Sequence, residues 1–188
     1  MVIKADQVKA LREKTGAGIM DSKRALQETN GDMGKAESLL KQQGLDNSVK
    51  KGGRAALQGL IEPYVHGGRI GAIVEVNCET DFVARTQDFK TLAHDVAMQV
   101  AAMNPRYVAA ADVPEADIAG LVAEFGSRED AIKAVVLLEQ TFIRDSKSTI
   151  GDLVKNGIAK LGENIQVSRF SRFEVGADRP SGETTVEA

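Results

Sequence analysis

The residues best equipped for chemistry sit together, in Asn77-Cys78-Glu79-Thr80-Asp81-Phe82-Val83. A thiol, carboxylates, a hydroxyl and an aromatic ring share one short stretch, so nucleophilic, metal-ligating and docking roles all have to be weighed. Cys78 with His66 suggests a thiol–imidazole pair. No third group orients the base, and the two residues share one end of adjacent strands only if the hairpin register is offset. Glu79, Asp81 and one histidine offer metal ligands, yet no ligand spacing recurs. His94, beside Asp95 in a helical stretch, reads as a surface or boundary residue. Thr15-Gly16-Ala17-Gly18 precedes a helix but lacks the Lys-Ser/Thr ending of a phosphate loop, and no strand leads into it. Gly67-Gly68-Arg69-Ile70-Gly71 lacks dinucleotide spacing and joins two strands. No catalytic set, metal site or cofactor site emerges. Asp81 and Phe82 remain, an acid and an apolar wedge side by side on a rigid corner suited to insertion into another molecule. On residue type alone, Thr80 or Asp81 is a helix N-cap and Phe82 a core aromatic.

The elements around that corner follow from periodicity. Ile70–Val76 has the composition of a buried strand, and a helical pattern begins at Val83. Leu57–His66 and Arg69–Asn77 form a hairpin across Gly67-Gly68, whose glycines suit positive φ, and Pro63 places the first strand at a sheet edge. Helices are expected over Phe89–Met103, Ile118–Phe125, Glu129–Arg144 and Thr149–Leu161, the last capped by Ser148 or Thr149 and stopped by Gly162. Ile165–Val175 alternates with one phase slip between Val167 and Phe170, which predicts a bulged strand.

Ahead of this lie three short amphipathic helices. The first runs over about Asp6–Lys14. The second, near Ile19–Thr29, ends at Asn30-Gly31, and the third is capped by Asp32 and ended by Gly44. The resulting organisation is a three-helix bundle over 1–45, a polar glycine-containing linker over 46–56, an α+β core over 57–176 and a disordered tail over 177–188. The fold class is α+β, a small antiparallel sheet packed against helices.

Composition narrows the function. The chain has 188 residues, 43 % hydrophobic and 27 % charged, with net charge −3, the profile of a soluble protein. The negative balance and 4 % aromatics argue against broad nucleic-acid or anionic-membrane binding and against base stacking. One cysteine excludes an intrachain disulfide and multi-cysteine zinc sites. No secretory signal and no run of roughly 18 apolar residues is visible, so a cytoplasmic protein is expected.

Several long motifs then point one way. Leu11-Arg12-Glu13-Lys14-Thr15-Gly16-Ala17-Gly18-Ile19-Met20-Asp21-Ser22-Lys23-Arg24-Ala25-Leu26, followed by Asn30-Gly31-Asp32, closely resembles the N-terminal signature of translation elongation factor Ts. Glu75–Arg85 resembles that family's second signature. His66–Gly71, Phe142–Asp145 with Thr149–Leu153, Gly162–Ile165 and Arg172–Gly176 extend the match over nearly all of the chain. Ser22 stands where many members carry cysteine, and the sequence is a short form with one sheet-bearing core. The resemblance implies a guanine-nucleotide exchange factor for the GTPase elongation factor Tu, with no catalytic chemistry or cofactor of its own. By carry-over, Thr80, Asp81, Phe82 and Val83 would intrude into the partner's G domain and disturb its Mg²⁺ site. The bundle resembles a ubiquitin-associated-type module and would dock through Arg12, Ile19 and Met20, although Ile19 and Met20 equally suit the bundle's own core. His66 is a further contact candidate. A short form also implies a homodimer that binds two partner molecules. Two rivals are a helical protein-binding module without exchange activity and a hydrolase or redox protein using Cys78 and His66.

Overall fold

Glycine and asparagine end the first two helices as their chemistry requires. In the computed structural model, which describes residues 3–177 and residues 45–50 by backbone alone, helix α1 (Ala5–Thr15) closes at Gly16 with φ 69°. Helix α2 (Ile19–Glu28) closes at Asn30 and Gly31, with φ 52° and 82°, and the Gly31 N–H donates to the Leu26 carbonyl at 2.7 Å. The Asp32 carboxylate accepts from Lys35 N at 3.0 Å and caps α3 (Met33–Lys51). Leu11, Ala25, Leu26, Ala36 and Leu40 form the bundle's apolar centre.

Gly44 does not end the third helix, and α3 continues through much of the expected linker to Lys51. The physical reason is packing. A Cβ at Gly44 would stand 3.1 Å from Ala159 Cβ, so the glycine allows close helix–helix approach rather than a left-handed cap.

The core sheet runs β1 (Gln58–His66), β2 (Ile70–Cys78) and β5 (Ile165–Glu174), in the order β1-β2-β5 and antiparallel throughout. Gly67 and Gly68 take φ 56° and 68° in the hairpin turn, and Pro63 lies on edge strand β1, where its missing N–H costs no ladder bond. Val167 pairs with Val76 and Arg169 with Glu75, leaving Ser168 as the expected bulge. Ala72, Val74, Val76 and Cys78 face inward. Over them pack α5 (Gln87–Met103), through Phe89, Leu92, Val96 and Val100, and α8 (Ile150–Leu161), through Ile150, Val154 and Ile158. Thr149 caps α8 and Gly162 closes it. Helices α6 (Glu115–Phe125) and α7 (Arg128–Val135) form a smaller cluster around Leu121, Ala131, Val135 and Val136. The expected tail lies almost wholly outside the described residues, which end at Ala177.

The long helix expected over Glu129–Arg144 is instead α7, a single 3₁₀ turn over Leu137–Glu139, and the hairpin strands β3 (Thr141–Phe142) and β4 (Asp145–Thr149). Its apolar face is real, but the backbone finds other partners. Leu137 N and Leu138 N donate to the carbonyls of Tyr107 and Val108 at 2.9 and 3.1 Å. Buried Gln99 completes the diversion. Its amide donates to Gln140 Oε1 at 3.2 Å and to the Thr141 carbonyl at 3.1 Å, while its Oε1 accepts from Ile143 N at 3.0 Å. Periodicity reports which face is buried, not who receives the N–H groups. Replacing Gln99 with leucine strands these groups, at about 1–3 kcal/mol for each one left buried and unpaired. Gln99→Leu is expected to lose at least about 2 kcal/mol in urea unfolding, with the N-terminal bundle's amide exchange unaffected.

Candidate functional site

The corner is built where β2 runs out. Cys78 is the last strand residue, and Thr80 leaves the sheet in an extended conformation (φ −127°, ψ 155°) to cap the four-residue helix α4 (Asp81–Ala84). Thr80 Oγ1 accepts from Val83 N at 3.4 Å, so of the two cap candidates threonine takes the role. Within α4 the side chains divide sharply. Ala84 is buried and Val83 is half-buried against the main core. Phe82 is 78 % exposed, so a core role for that ring is ruled out. An aromatic held this far out of a packed corner has lost its chance of burial within the chain, and a partner surface is the natural place to regain it.

Asp81 sits beside it with its carboxylate 2.7 Å from Arg85. Both members are largely exposed, so the pair adds little stability and can be given up to a partner. Arg85 N donates to the Asp81 carbonyl at 3.2 Å and Thr86 N to the Val83 carbonyl at 3.0 Å. These bonds carry the corner into α5, whose own cap is Thr86.

Two carboxylates lock the turn from below. Glu163, just after α8, accepts from Glu79 N at 3.1 Å, from Thr80 N at 2.9 Å and from the Thr80 hydroxyl at 2.6 Å. Glu79 returns the arrangement, accepting from Asn164 N at 2.6 Å and lying 3.4 Å from the Arg54 guanidinium. Asn164, itself buried, donates to the Arg54 carbonyl at 2.7 Å.

The sequence-predicted residues thus separate. Thr80, Asp81, Phe82 and Val83 form one corner. Ile19 and Met20 are 59 % and 72 % exposed at the start of α2, so they do not belong to the bundle's core; Arg12, on α1, is exposed too. His66 pairs with Ile70 at the turn end of the hairpin, whereas Cys78 pairs with Gln58 at the other. Eight strand residues separate the two ends, about 26 Å at 3.3 Å per residue, so no thiol–imidazole pair exists. His66 instead stands by Tyr64, its Nδ1 3.3 Å from the phenol. His94 is exposed as expected, and its Nδ1 lies 2.9 Å from Glu62. Sequence reasoning missed Glu163 as a site residue. A Gly-Glu-Asn turn after a helix signals a cap, but nothing in it reveals a target more than eighty residues upstream.

A sequence model of the family described as Elongation factor TS matches residues 47–125. The chain is also 51 % identical to "Elongation factor Ts" of Coprothermobacter proteolyticus, over 94 % of this chain and 100 % of the relative. It is 50 % identical to that of Herpetosiphon aurantiacus, over 95 % and 100 %, and 49 % identical to that of Rippkaea orientalis, over 93 % and 78 %. The chain belongs to the elongation factor Ts family. Coverage of 78–100 % of relatives that share this name makes it a translation elongation factor, and the corner lies inside the region that the family model matches. Among the described residues, no helix is long and apolar enough to cross a membrane, and no group of three or more His, Cys, Asp or Glu could hold a metal ion.

Cys78 has a structural part in this corner. It is fully buried, its thiol donates to the Thr80 carbonyl at 3.1 Å, and its pKa is raised, first by burial and then by the negative charge of Glu163. A raised thiol pKa leaves little thiolate, the reactive form, at neutral pH. Native protein at mildly alkaline pH should therefore react only very slowly with a disulfide reagent such as DTNB, and stoichiometrically once unfolded in denaturant. Rapid native reaction would show that the corner opens.

Proposed function

We propose that this chain promotes GDP release from elongation factor Tu by inserting the Thr80–Val83 corner beside the partner's Mg²⁺ site. The observation that carries the proposal is Phe82, an exposed ring on an otherwise anchored corner within a chain of this family. Mg²⁺ bridges nucleotide phosphates to a GTPase, so disturbing its ligands removes a main electrostatic attachment of GDP. Phe82 acts as the apolar wedge that separates packed elements of the partner. Asp81 can exchange its contact with Arg85 for polar groups of the G domain. Factor and nucleotide then weaken each other's binding by the same amount, because coupling free energy is reciprocal. Release is accelerated while the overall nucleotide equilibrium stays where it was. The chain performs no covalent chemistry, binds no cofactor or nucleic acid, and works in the cytoplasm.

Arg12, Ile19 and Met20 supply a second contact from the bundle, a ubiquitin-associated-type module over about 1–45 that precedes the core. A hydrophobic pair exposed at a helix start is well placed for a shallow partner groove. His66, at the far end of the hairpin, is a lesser contact. Truncating a central aromatic anchor commonly costs 2 kcal/mol or more, roughly thirtyfold. In stopped-flow release of fluorescent GDP from the bacterial GTPase, Phe82→Ala should slow stimulated release by about that factor, with Asp81→Ala smaller and Cys78→Ser near wild type. A binding module without exchange activity predicts instead no stimulated release by any variant, with Phe82→Ala keeping full affinity for the partner. No stimulation by the wild type would end the exchange reading.

The sheet's outer face supports a homodimer, with two copies binding two partner molecules. Ile61, Val65, Ile73 and Phe173 are 56 %, 66 %, 47 % and 70 % exposed, and strand pairing gathers them with Pro63 on one side of the three strands. Exposed apolar residues clustered on one face are a feature of interaction surfaces, and an apolar sheet face suits packing against its own copy. Sedimentation at micromolar concentration should give a dimer for the wild type and a monomer for Phe173→Glu. A monomeric wild type, alone and with partner, would refute the dimer.

A further inference from the structure

We infer that Glu163 is a positioning residue for the exchange reaction, holding the Phe82 corner in its inserting geometry before the partner arrives. The inference rests on the proposed function and adds to it a residue more than eighty positions away from the corner. Three observations carry it.

First, the corner cannot hold itself. Helix α4 has four residues, far too few to be stable alone, and its tip residue Phe82, 78 % exposed, contributes little packing. Second, Glu163 gathers three donors from two consecutive residues at 2.6–3.1 Å. A carboxylate that accepts two adjacent backbone N–H groups and the neighbouring hydroxyl fixes the peptide plane between them. Donation by the Thr80 hydroxyl also turns its lone pairs, one of which meets Val83 N. The order runs from Glu163 through Thr80 Oγ1 to the helix that carries Phe82 (charged acceptor, rotor, cap). Third, the tie is reciprocal. Glu79 accepts from Asn164 N, and Asn164 holds the Arg54 carbonyl, so the segment entering the core from the bundle is fastened to the same knot. Charge-assisted bonds of this kind are the strong ones in proteins.

The knot makes the corner a single rigid unit. If insertion must occur from one conformation, the fraction of factor holding that conformation scales the step directly. Loosening the knot leaves docking through the bundle intact and reduces insertion within the docked complex. The maximal release rate should fall while the half-saturating factor concentration barely moves.

The experiment uses the full chain and the bacterial GTPase loaded with fluorescent GDP, with Glu163→Ala, Glu163→Gln, Phe82→Ala and the double variant Glu163→Ala/Phe82→Ala. Glu163→Ala should lower the maximal rate about tenfold or more, as expected for loss of a preorganising contact, with less than about threefold change in half-saturation. Glu163→Gln, which keeps one acceptor oxygen, should recover part of the rate. The double variant should be little slower than Phe82→Ala, since both act through one ring. Amide exchange on the free proteins reads the knot without the partner: Glu79, Thr80 and Val83 should be protected in the wild type and exposed selectively in Glu163→Ala. Equal maximal rates despite that lost protection would overturn the positioning role and leave the exchange function standing. Unprotected Glu79 and Thr80 amides in the wild type, or a Glu163→Ala chain that unfolds globally while Glu163→Gln retains full rate, would also overturn it. No stimulation by the wild type would remove both, and intact amide protection would trace that failure to the function rather than to the knot.

Discussion

Everything exposed at the corner depends on a reciprocal exchange of hydrogen bonds between Glu79 and Glu163. Each carboxylate accepts from backbone N–H groups of the other's turn, so the end of β2 and the turn between α8 and β5 hold one another. Strand pairing alone would bring Cys78 opposite Ile165 but would leave the next residues free to fray. The exchange carries order beyond the last ladder bond, into a helix of one turn. It also satisfies backbone donors that sheet and helix both leave behind at their ends, which is a standing cost wherever a strand hands over to a helix.

Rigidity below and exposure above are two halves of one design. Cys78, Val83 and Ala84 bury the underside of the corner, and the buried thiol adds a bond to the Thr80 carbonyl. Phe82 gains little from the fold, with 78 % of its surface exposed. Its ring is the apolar surface that the proposed insertion would cover. The same tension recurs at Ile19 and Met20 on the bundle and over the outer sheet face. Apolar side chains thus stand out at the corner, at the start of α2 and over the outer face of the sheet.

Local chemistry made much of this legible. Glycines at positive φ, threonine caps, an edge proline and a phase slip all fell where their residue types require, so the hairpin, the bulged strand and α8 could be read directly. Two readings failed for one reason, namely that a partner distant in sequence decided the outcome. Gly44 suits a helix end until α8 lies against it. Residues 136–143 suit a helix until Gln99, Tyr107 and Val108 take their backbone groups. The corner shows the same limit. Residue type favoured a buried Phe82, motif resemblance favoured an exposed one, and the structure agrees with the motif. Glu163 was invisible as a site residue, because a carboxylate's target is not encoded beside it.

Preorganisation of the corner also bears on how the proposed nucleotide exchange would work. A wedge that folded only upon contact would spend part of its binding free energy on ordering itself. By reciprocity, whatever affinity the factor has for the nucleotide-free partner over the GDP-bound one is the whole of its power to weaken GDP. Where the corner is ordered in both complexes, the ordering cost enters both affinities and cancels from their ratio, so a floppy corner could still be thermodynamically competent. What it would lose is speed, because only the ordered fraction of the factor could insert on encounter. Under the proposed mechanism the hydrogen bonds beneath Thr80 are therefore a kinetic device. They would hold the ring where an encounter could use it.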